Sequence, residues 1–161
     1  MTTPADPRLA LALYQPDIAQ NAGTILRTCA CLGFEALLIG PAGFATDDKR
    51  MRRAGMDYLD QVALIRLASF DAFESWRSSL PQRRRLVLLS TKAESSYIDF
   101  SFEPGDILML GRESAGVPAE VAARADFAIK IPMRPGLRSL NVAVAGAIVA
   151  GEALRQLRQK G

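Results

Sequence analysis

Histidine is absent from this 161-residue chain. With it go imidazole acid–base chemistry, Ser-His-Asp and Cys-His nucleophilic sites, and every histidine-ligated metal centre. Cysteine is scarce: only Cys29 and Cys31 occur, in the run Thr28-Cys29-Ala30-Cys31-Leu32. Two thiols cannot close a four-ligand zinc site, and their spacing is not that of a redox Cys-x-x-Cys. They read as free, buried or half-buried thiols on a helix. No G-x-G-x-x-G follows the first apolar run and no G-x-x-x-x-G-K-[ST] occurs, which disfavours a dinucleotide dehydrogenase and a P-loop NTPase. The longest apolar run, residues 142–151, is about half a bilayer span. Residues 1–6 are short and polar, unlike a secretion signal. The expectation is a metal-free protein in a reducing, cytoplasmic setting, with no membrane partner.

What is present is a 49% hydrophobic, 23% charged composition, which excludes a disordered chain or a disulfide scaffold. The length suits a single domain over residues 1–161, able to bury roughly 70% of its unfolded surface. Continuous apolar runs of strand length occupy residues 9–14, 36–39, 62–65, 86–89, 107–110 and 127–131. Such runs match parallel strands buried on both faces. Helical patterns lie between them near 20–32, 69–79, 118–124 and 139–158. The alternation predicts an α/β fold with a mainly parallel sheet flanked by helices, whose ligands gather beyond the carboxyl ends of the strands.

In the first helix, Asn21 suits an N-cap and Gly33 a C-terminal stop. At about 100° per residue, Ile25, Leu26, Cys29 and Leu32 share one face and Arg27 falls on the other. That geometry leaves two readings open: a solvated arginine, or one projecting toward an anionic or hydroxyl-bearing substrate. Positive charge is clustered at Lys49, Arg50, Arg52 and Arg53; at Arg83, Arg84 and Arg85; at Arg134 and Arg138; and at Arg155, Arg158 and Lys160. These clusters hold more than half of the 20 basic residues and together suit a phosphate-tracking surface. A net charge of only +3 argues against tight unspecific nucleic-acid binding, so a structured RNA bound at a defined place is expected. The last helix is rich in small residues, with Ala143, Ala147 and Gly151 at i, i+4 and i+8. Each glycine there costs about 1 kcal/mol relative to alanine. Tight packing within the chain and a helix–helix seam between two copies both explain the cost.

Three segments, in order and at matching spacing, resemble the signature motifs of the SPOUT superfamily of S-adenosylmethionine-dependent RNA methyltransferases. They are Pro16-x-Ile18-x-x-Asn21-x-Gly23-x-Ile25-x-Arg27-Thr28, Leu110-Gly111-x-Glu113-x-x-Gly116-x-Pro118, and Ile131-Pro132-Met133 followed by Ser139-Leu140-Asn141-Val142. The block from Gly43 to Tyr58, with Asp47-Asp48-Lys49-Arg50 and Arg52-Arg53-Ala54-Gly55, resembles the TrmL-like branch. That branch comprises tRNA 2′-O-methyltransferases that modify the wobble nucleotide, C or U at position 34, of certain leucine tRNAs. The likeness runs from about Leu9 to Arg158, with one departure: Gly151 precedes Glu152 where many relatives have tyrosine.

The resemblance implies a C-terminal trefoil knot, the α/β knot of SPOUT proteins, and a homodimer. It implies an S-adenosylmethionine site at Leu89, Gly111, Ile131 and Ser139, with Thr91, Glu113, Gly116, Met133, Leu140 and Asn141 in or beside it and Ser139 capping the last helix. S-adenosylhomocysteine would be the product. Arg27 would be the catalytic residue, acting in some arrangements on the partner's cofactor. The basic loop of Lys49, Arg50, Arg52 and Arg53 would grip the tRNA anticodon stem-loop. The competing readings are a 2′-O-methyltransferase for another tRNA or rRNA position, a non-catalytic RNA-binding module, and a small nucleotide-binding protein of flavodoxin-like shape.

Overall fold

The computed structural model describes residues 8–45 and 48–160. Residues 1–6, and Thr46 and Asp47 of the block that carries the branch resemblance, lie outside that range. Seven strands form one sheet: β1 (Ala10–Tyr14), β2 (Glu35–Ile39), β3 (Ala63–Leu67), β4 (Leu86–Leu89), β5 (Ser95–Ser96), β6 (Ile107–Leu110) and β7 (Phe127–Lys130). All pair in parallel, in the order β3-β2-β1-β6-β4-β7-β5. The six expected strands are present with ends shifted by a residue or two, whereas β5, two serines pairing with β7, carries no apolar signal.

The helices are α1 (Ala19–Leu32), α2 (Lys49–Gly55), α3 (Phe70–Ser78), α4 (Ala119–Arg124) and α5 (Val142–Lys160), with a 3₁₀ turn at Met56–Gln61. Alternate strand residues feed two cores. On one face Leu11, Leu13, Leu38, Val87, Leu108 and Leu110 pack with Ile25 and Leu26 of α1, Met51 of α2 and Val149 of α5. On the other, Tyr14, Leu37, Ile39, Leu88 and Met109 pack with Phe73 of α3 and Val121 of α4. Burial on both faces is why the strands read as unbroken apolar runs.

α1 departs from its expected ends in two ways. Ile18 occupies the N-cap with no side-chain hydrogen bond, and Asn21 lies within the helix. Gly33 does stop it, in the left-handed region at φ 77°. Leu32 and Cys31 are exposed in the last turn of the helix, while Cys29 is buried. Burial pushes the Cys29 thiol up to about 12, so it is an inert packing group. The basic segment expected as a loop is a helix: α2 lays Met51 and Gly55 against α1 and leaves Lys49, Arg50, Arg52 and Arg53 exposed. Gly23 makes this contact possible, since a Cβ there would stand 2.1 Å from the Met51 carbonyl oxygen.

Each of the three consecutive arginines before β4 is engaged by a carboxylate at the amino end of the sheet. Arg84 is buried and donates to the carbonyls of Gly105 at 2.7 Å and Arg8 at 2.6 Å and to Glu35 at 3.0 Å. Arg85 forks onto Asp106 through two 2.8 Å bonds, and Arg83 pairs with Asp126. They tie together the amino ends of the strands through Arg8, Glu35, Gly105, Asp106 and Asp126. Removing one partner of a buried pair strands the other's charge. Arg84→Ala is therefore expected to lower unfolding free energy by about 3 kcal/mol or more, read by urea denaturation.

Candidate active site

Strands β4, β6 and β7 end at Leu89, Leu110 and Lys130, and the chain beyond each end turns over the same edge of the sheet. After β6, the loop 111–118 folds back on itself. The Arg112 N–H donates to the Gly116 carbonyl at 3.0 Å and the Gly116 N–H returns to the Arg112 carbonyl at 2.8 Å. A Cβ on Gly111 would lie 2.8 Å from the Gly116 backbone, and Gly116 has φ 64°, so both positions require glycine for this turn. After β7, the segment 131–141 crosses to the start of α5. Asn141 caps that helix, its Oδ1 accepting from the N–H groups of Ala143 at 2.8 Å and Val144 at 3.2 Å. Its Nδ2 donates to Asn21 Oδ1 of α1 at 3.0 Å. The cap is thus Asn141 and not Ser139, which lies before the helix begins.

These loops enclose a cleft of about 1010 Å³. All ten residues anticipated as a cofactor site line it together: Leu89, Thr91, Gly111, Glu113, Gly116, Ile131, Met133, Ser139, Leu140 and Asn141. Also lining it, and unmarked in the sequence, are Lys92, Arg112 and an alanine wall of Ala119, Ala122, Ala123 and Ala128. The alanine spacing on α4 was the available signal: Ala119, Ala122 and Ala123 recur at i, i+3 and i+4 on one face. Apolar walls beside a few convergent polar groups, at a volume near the upper end for ligand clefts, fit a nucleoside-sized cofactor. The glycine turn lets such a ligand approach the backbone.

One electrostatic feature sits at the rim. The Asp17 N–H donates to Glu113 Oε2 at 3.1 Å, Ser114 Oγ donates to the Asp17 carboxylate, and Arg112 stands 3.7 Å from it. Hydrogen bonding with Glu113, and then with Ser114, holds Asp17 down at about 2 against the opposing effect of burial. Burial, and next the adjoining Asp17, holds Glu113 above its ordinary range.

Arg27 does not line the cleft. It is exposed on α1, its guanidinium 5.5 Å from the centre of the Tyr58 ring in the 3₁₀ turn that follows α2. Arg27 and the four cations of α2 thus belong to one packed unit of α1, α2 and that turn. On α5 the small-residue series divides. Ala143 is buried with Gly146, Val149 and Ala150, whereas Ala147 and Gly151 are exposed beside Val144 and Ile148. The spacing i, i+4, i+8 drifts around a 3.6-residue helix, so the outward stripe runs through 144, 147, 148 and 151.

A three-layer parallel α/β sheet with a nucleoside-sized cleft across three strand ends, and a cationic helix packed on α1, defines a cofactor-binding protein of the open α/β class. The chain belongs to the SpoU rRNA Methylase family, which matches residues 8–151. It is 65% identical, over 91% of both chains, to a tRNA (cytidine(34)-2′-O)-methyltransferase of Beijerinckia indica. It also resembles a solved structure concerned with the 2-OH methylation of C/U34 on tRNA, at 45% identity and TM-score 0.87, over 94% of this chain and 97% of that one. A third likeness is to the SpoU methyltransferase AviRb of Streptomyces viridochromogenes in complex with the cofactor AdoMet. Here identity is 27% and TM-score 0.83, over 97% of this chain and 62% of that one.

The raised Glu113 carboxyl has a signed consequence. A group whose folded pKa is raised binds its proton more tightly when folded, so its contribution to stability falls as pH rises from its ordinary 4.5 through the folded value. Glu113→Gln removes that loss. The variant is expected to match the parent at pH 4 and become the more stable of the two toward about pH 7, read by denaturant unfolding across that range.

Proposed function

We propose that the chain is an S-adenosylmethionine-dependent tRNA 2′-O-methyltransferase acting on the ribose of the wobble nucleotide, C or U at position 34, of leucine tRNAs. It works in the cytoplasm, as a single domain and as a homodimer, without a metal. The observation that carries this reading is the convergence of all ten motif residues on one cleft of nucleoside size. The names of the relatives at high identity and near-complete coverage support the tRNA position. The trefoil knot belongs to the same reading. Its support is the strand order β6-β4-β7 followed by the return of α5 to β6 and α1.

When bound in the cleft, S-adenosylmethionine supplies an electrophilic sulfonium methyl group and leaves as S-adenosylhomocysteine. Leu89 and Ile131 offer apolar surface to an adenine, the Gly111–Gly116 turn offers backbone groups, and Ser139, Thr91, Met133 and Leu140 complete the wall. Glu113, Gly116 and Asn141 set the loops around it. The acceptor is a ribose 2′-hydroxyl, a weak acid that must be aligned and relieved of its proton. Arginine keeps its charge at neutral pH, so Arg27 acts by orienting the 2′-oxygen and stabilising its developing negative charge. Arg27 stands outside its own chain's cleft, so in this reading it serves the cofactor of the second subunit. The exposed α5 stripe of Val144, Ala147, Ile148 and Gly151 provides the seam. Lys49, Arg50, Arg52 and Arg53 meet the phosphates of the anticodon stem-loop.

Incubating the purified protein with S-adenosylmethionine and total bacterial tRNA, then mapping modified riboses, is expected to place 2′-O-methyl groups at position 34 of leucine tRNAs. Arg27→Ala should lower turnover by about 10²–10³-fold and leave the affinity for S-adenosylhomocysteine within about twofold. Methylation at another position, or undiminished turnover in the variant, overturns the assignment. Replacing Lys49, Arg52 or Arg53 with alanine should reduce the salt slope of tRNA binding by about 1 each. Arg50 is already forked onto Asp48 at 3.1 and 3.2 Å, so its replacement should change the slope less.

A further inference from the structure

The loop after β1 makes contacts that none of the signature positions explains. Gln15, the residue after β1, is held in the left-handed region at φ 41° with its N–H donating to the Ile39 carbonyl at 2.7 Å. This strained turn delivers Pro16 and Asp17 to the rim of the cleft. Three consecutive residues of the glycine loop then converge on Asp17: Arg112 at 3.7 Å, Glu113 through the Asp17 N–H at 3.1 Å, and Ser114 through its hydroxyl. On the opposite side Gly43 packs so closely that its added Cβ would meet Asp17 Cα and Cβ at 3.0 Å. The Gly43 N–H also donates to the Pro16 carbonyl at 2.8 Å. Asp17 itself does not line the cleft, although Arg112, Glu113 and Ser114 do. The next residue, Ile18, is the N-cap of α1.

We propose that Asp17 is a positioning residue that clamps the 111–118 loop in its cofactor-holding shape and locks that loop to the start of the helix carrying Arg27. The inference rests on the reading of the cleft as an S-adenosylmethionine site. A hydroxyl and an N–H made to face fixed partners hold the loop backbone without touching the ligand, and preorganisation of this kind appears as affinity. The carboxylate of Asp17 is the acceptor the Ser114 hydroxyl needs, and its charge is what Arg112 faces. Among the described residues, Arg112 and Glu113 are the charged groups recorded in contact with it.

The test compares the full-length protein with Asp17→Asn, Ser114→Ala and the double variant. It reads the dissociation constant for S-adenosylhomocysteine by calorimetry, separate KM values for S-adenosylmethionine and tRNA, and thermal midpoints. Asp17→Asn is expected to weaken S-adenosylhomocysteine binding and raise the S-adenosylmethionine KM by about tenfold, with the tRNA KM unchanged. Ser114→Ala should give a smaller effect of the same kind. The double variant should be weaker than Asp17→Asn alone, because the asparagine amide oxygen still accepts from the Ser114 hydroxyl that the second change removes. If Asp17→Asn fails to fold, Ser114→Ala decides: a raised S-adenosylmethionine KM supports the clamp and an unchanged one overturns it. A lowered thermal midpoint with unchanged cofactor affinity means a structural role only and overturns it as well. Parent protein that binds no S-adenosylhomocysteine overturns the underlying reading of the cleft, which the variants then no longer address.

Discussion

One side chain holds the cleft together. Asn141 accepts from two N–H groups at the start of α5 and donates to Asn21 in the middle of the first turns of α1. Capping of this sort is worth about 1 kcal/mol, enough to fix where the helix begins. Here it does more, because α5 is entered from the segment that leaves β7 and crosses the cleft. Fixing its first turn against α1 fixes the far wall of the cavity relative to Gly111 and Glu113. Asparagine is suited to the task because it carries an acceptor and a donor on one planar group. Aspartate would cap α5 equally well but would present a second acceptor to Asn21, and serine would lack the reach.

The charges of the molecule divide between the two ends of the sheet. At the amino end every member of the arginine triplet has a carboxylate partner, and Arg77 adds bonds to Glu74 and Asp126. There the cations serve the strand ends, and the strongest contacts are the forked ones of Arg85 on Asp106 and Arg77 on Glu74. At α2 the cations face solvent, and among the described residues only Arg50 pairs with a carboxylate, its neighbour Asp48. Clusters alike in composition therefore have opposite roles. The discriminating feature is whether acidic residues arrive from neighbouring strands, as Glu35, Asp106 and Asp126 do.

That contrast explains which parts of the structure were legible in the sequence. Apolar runs gave six strands because both faces are buried and no alternation was needed. β5 was invisible because a two-residue strand of serines is defined by backbone pairing with β7 alone. α2 read as a loop because one apolar anchor, Met51, in seven residues makes no periodicity. The ten cleft residues were found through motif resemblance, since the pocket is assembled from three strand ends 20 or more residues apart and leaves no local pattern. Asp17 escaped notice because its contacts depend on a strained turn and a loop almost 100 residues away. Asn21 and Ser139 were each assigned a cap that the chain does not use. Both are polar residues near a helix start, and the true boundary was set by tertiary contacts.

The same geometry separates the parts that the proposed chemistry must unite. The loops that form the cleft are held to α1 through Asn21 and Asp17, while Arg27 lies further along that helix against Tyr58. A rigid helix rises about 1.5 Å per residue, so six positions beyond Asn21 carry Arg27 roughly 9 Å along the axis from the Asn21–Asn141 contact. Arg27 does not line the cleft of its own chain, and α2 packs on α1 through Gly23. In the proposed function, an acceptor sugar positioned by Arg27 meets a methyl donor held in a second copy packed along the exposed stripe of α5. The close approach at Gly23, the helix α2 and the outward apolar residues of α5 are in this reading parts of one requirement: each subunit lends its arginine and its cationic helix to the cleft of the other.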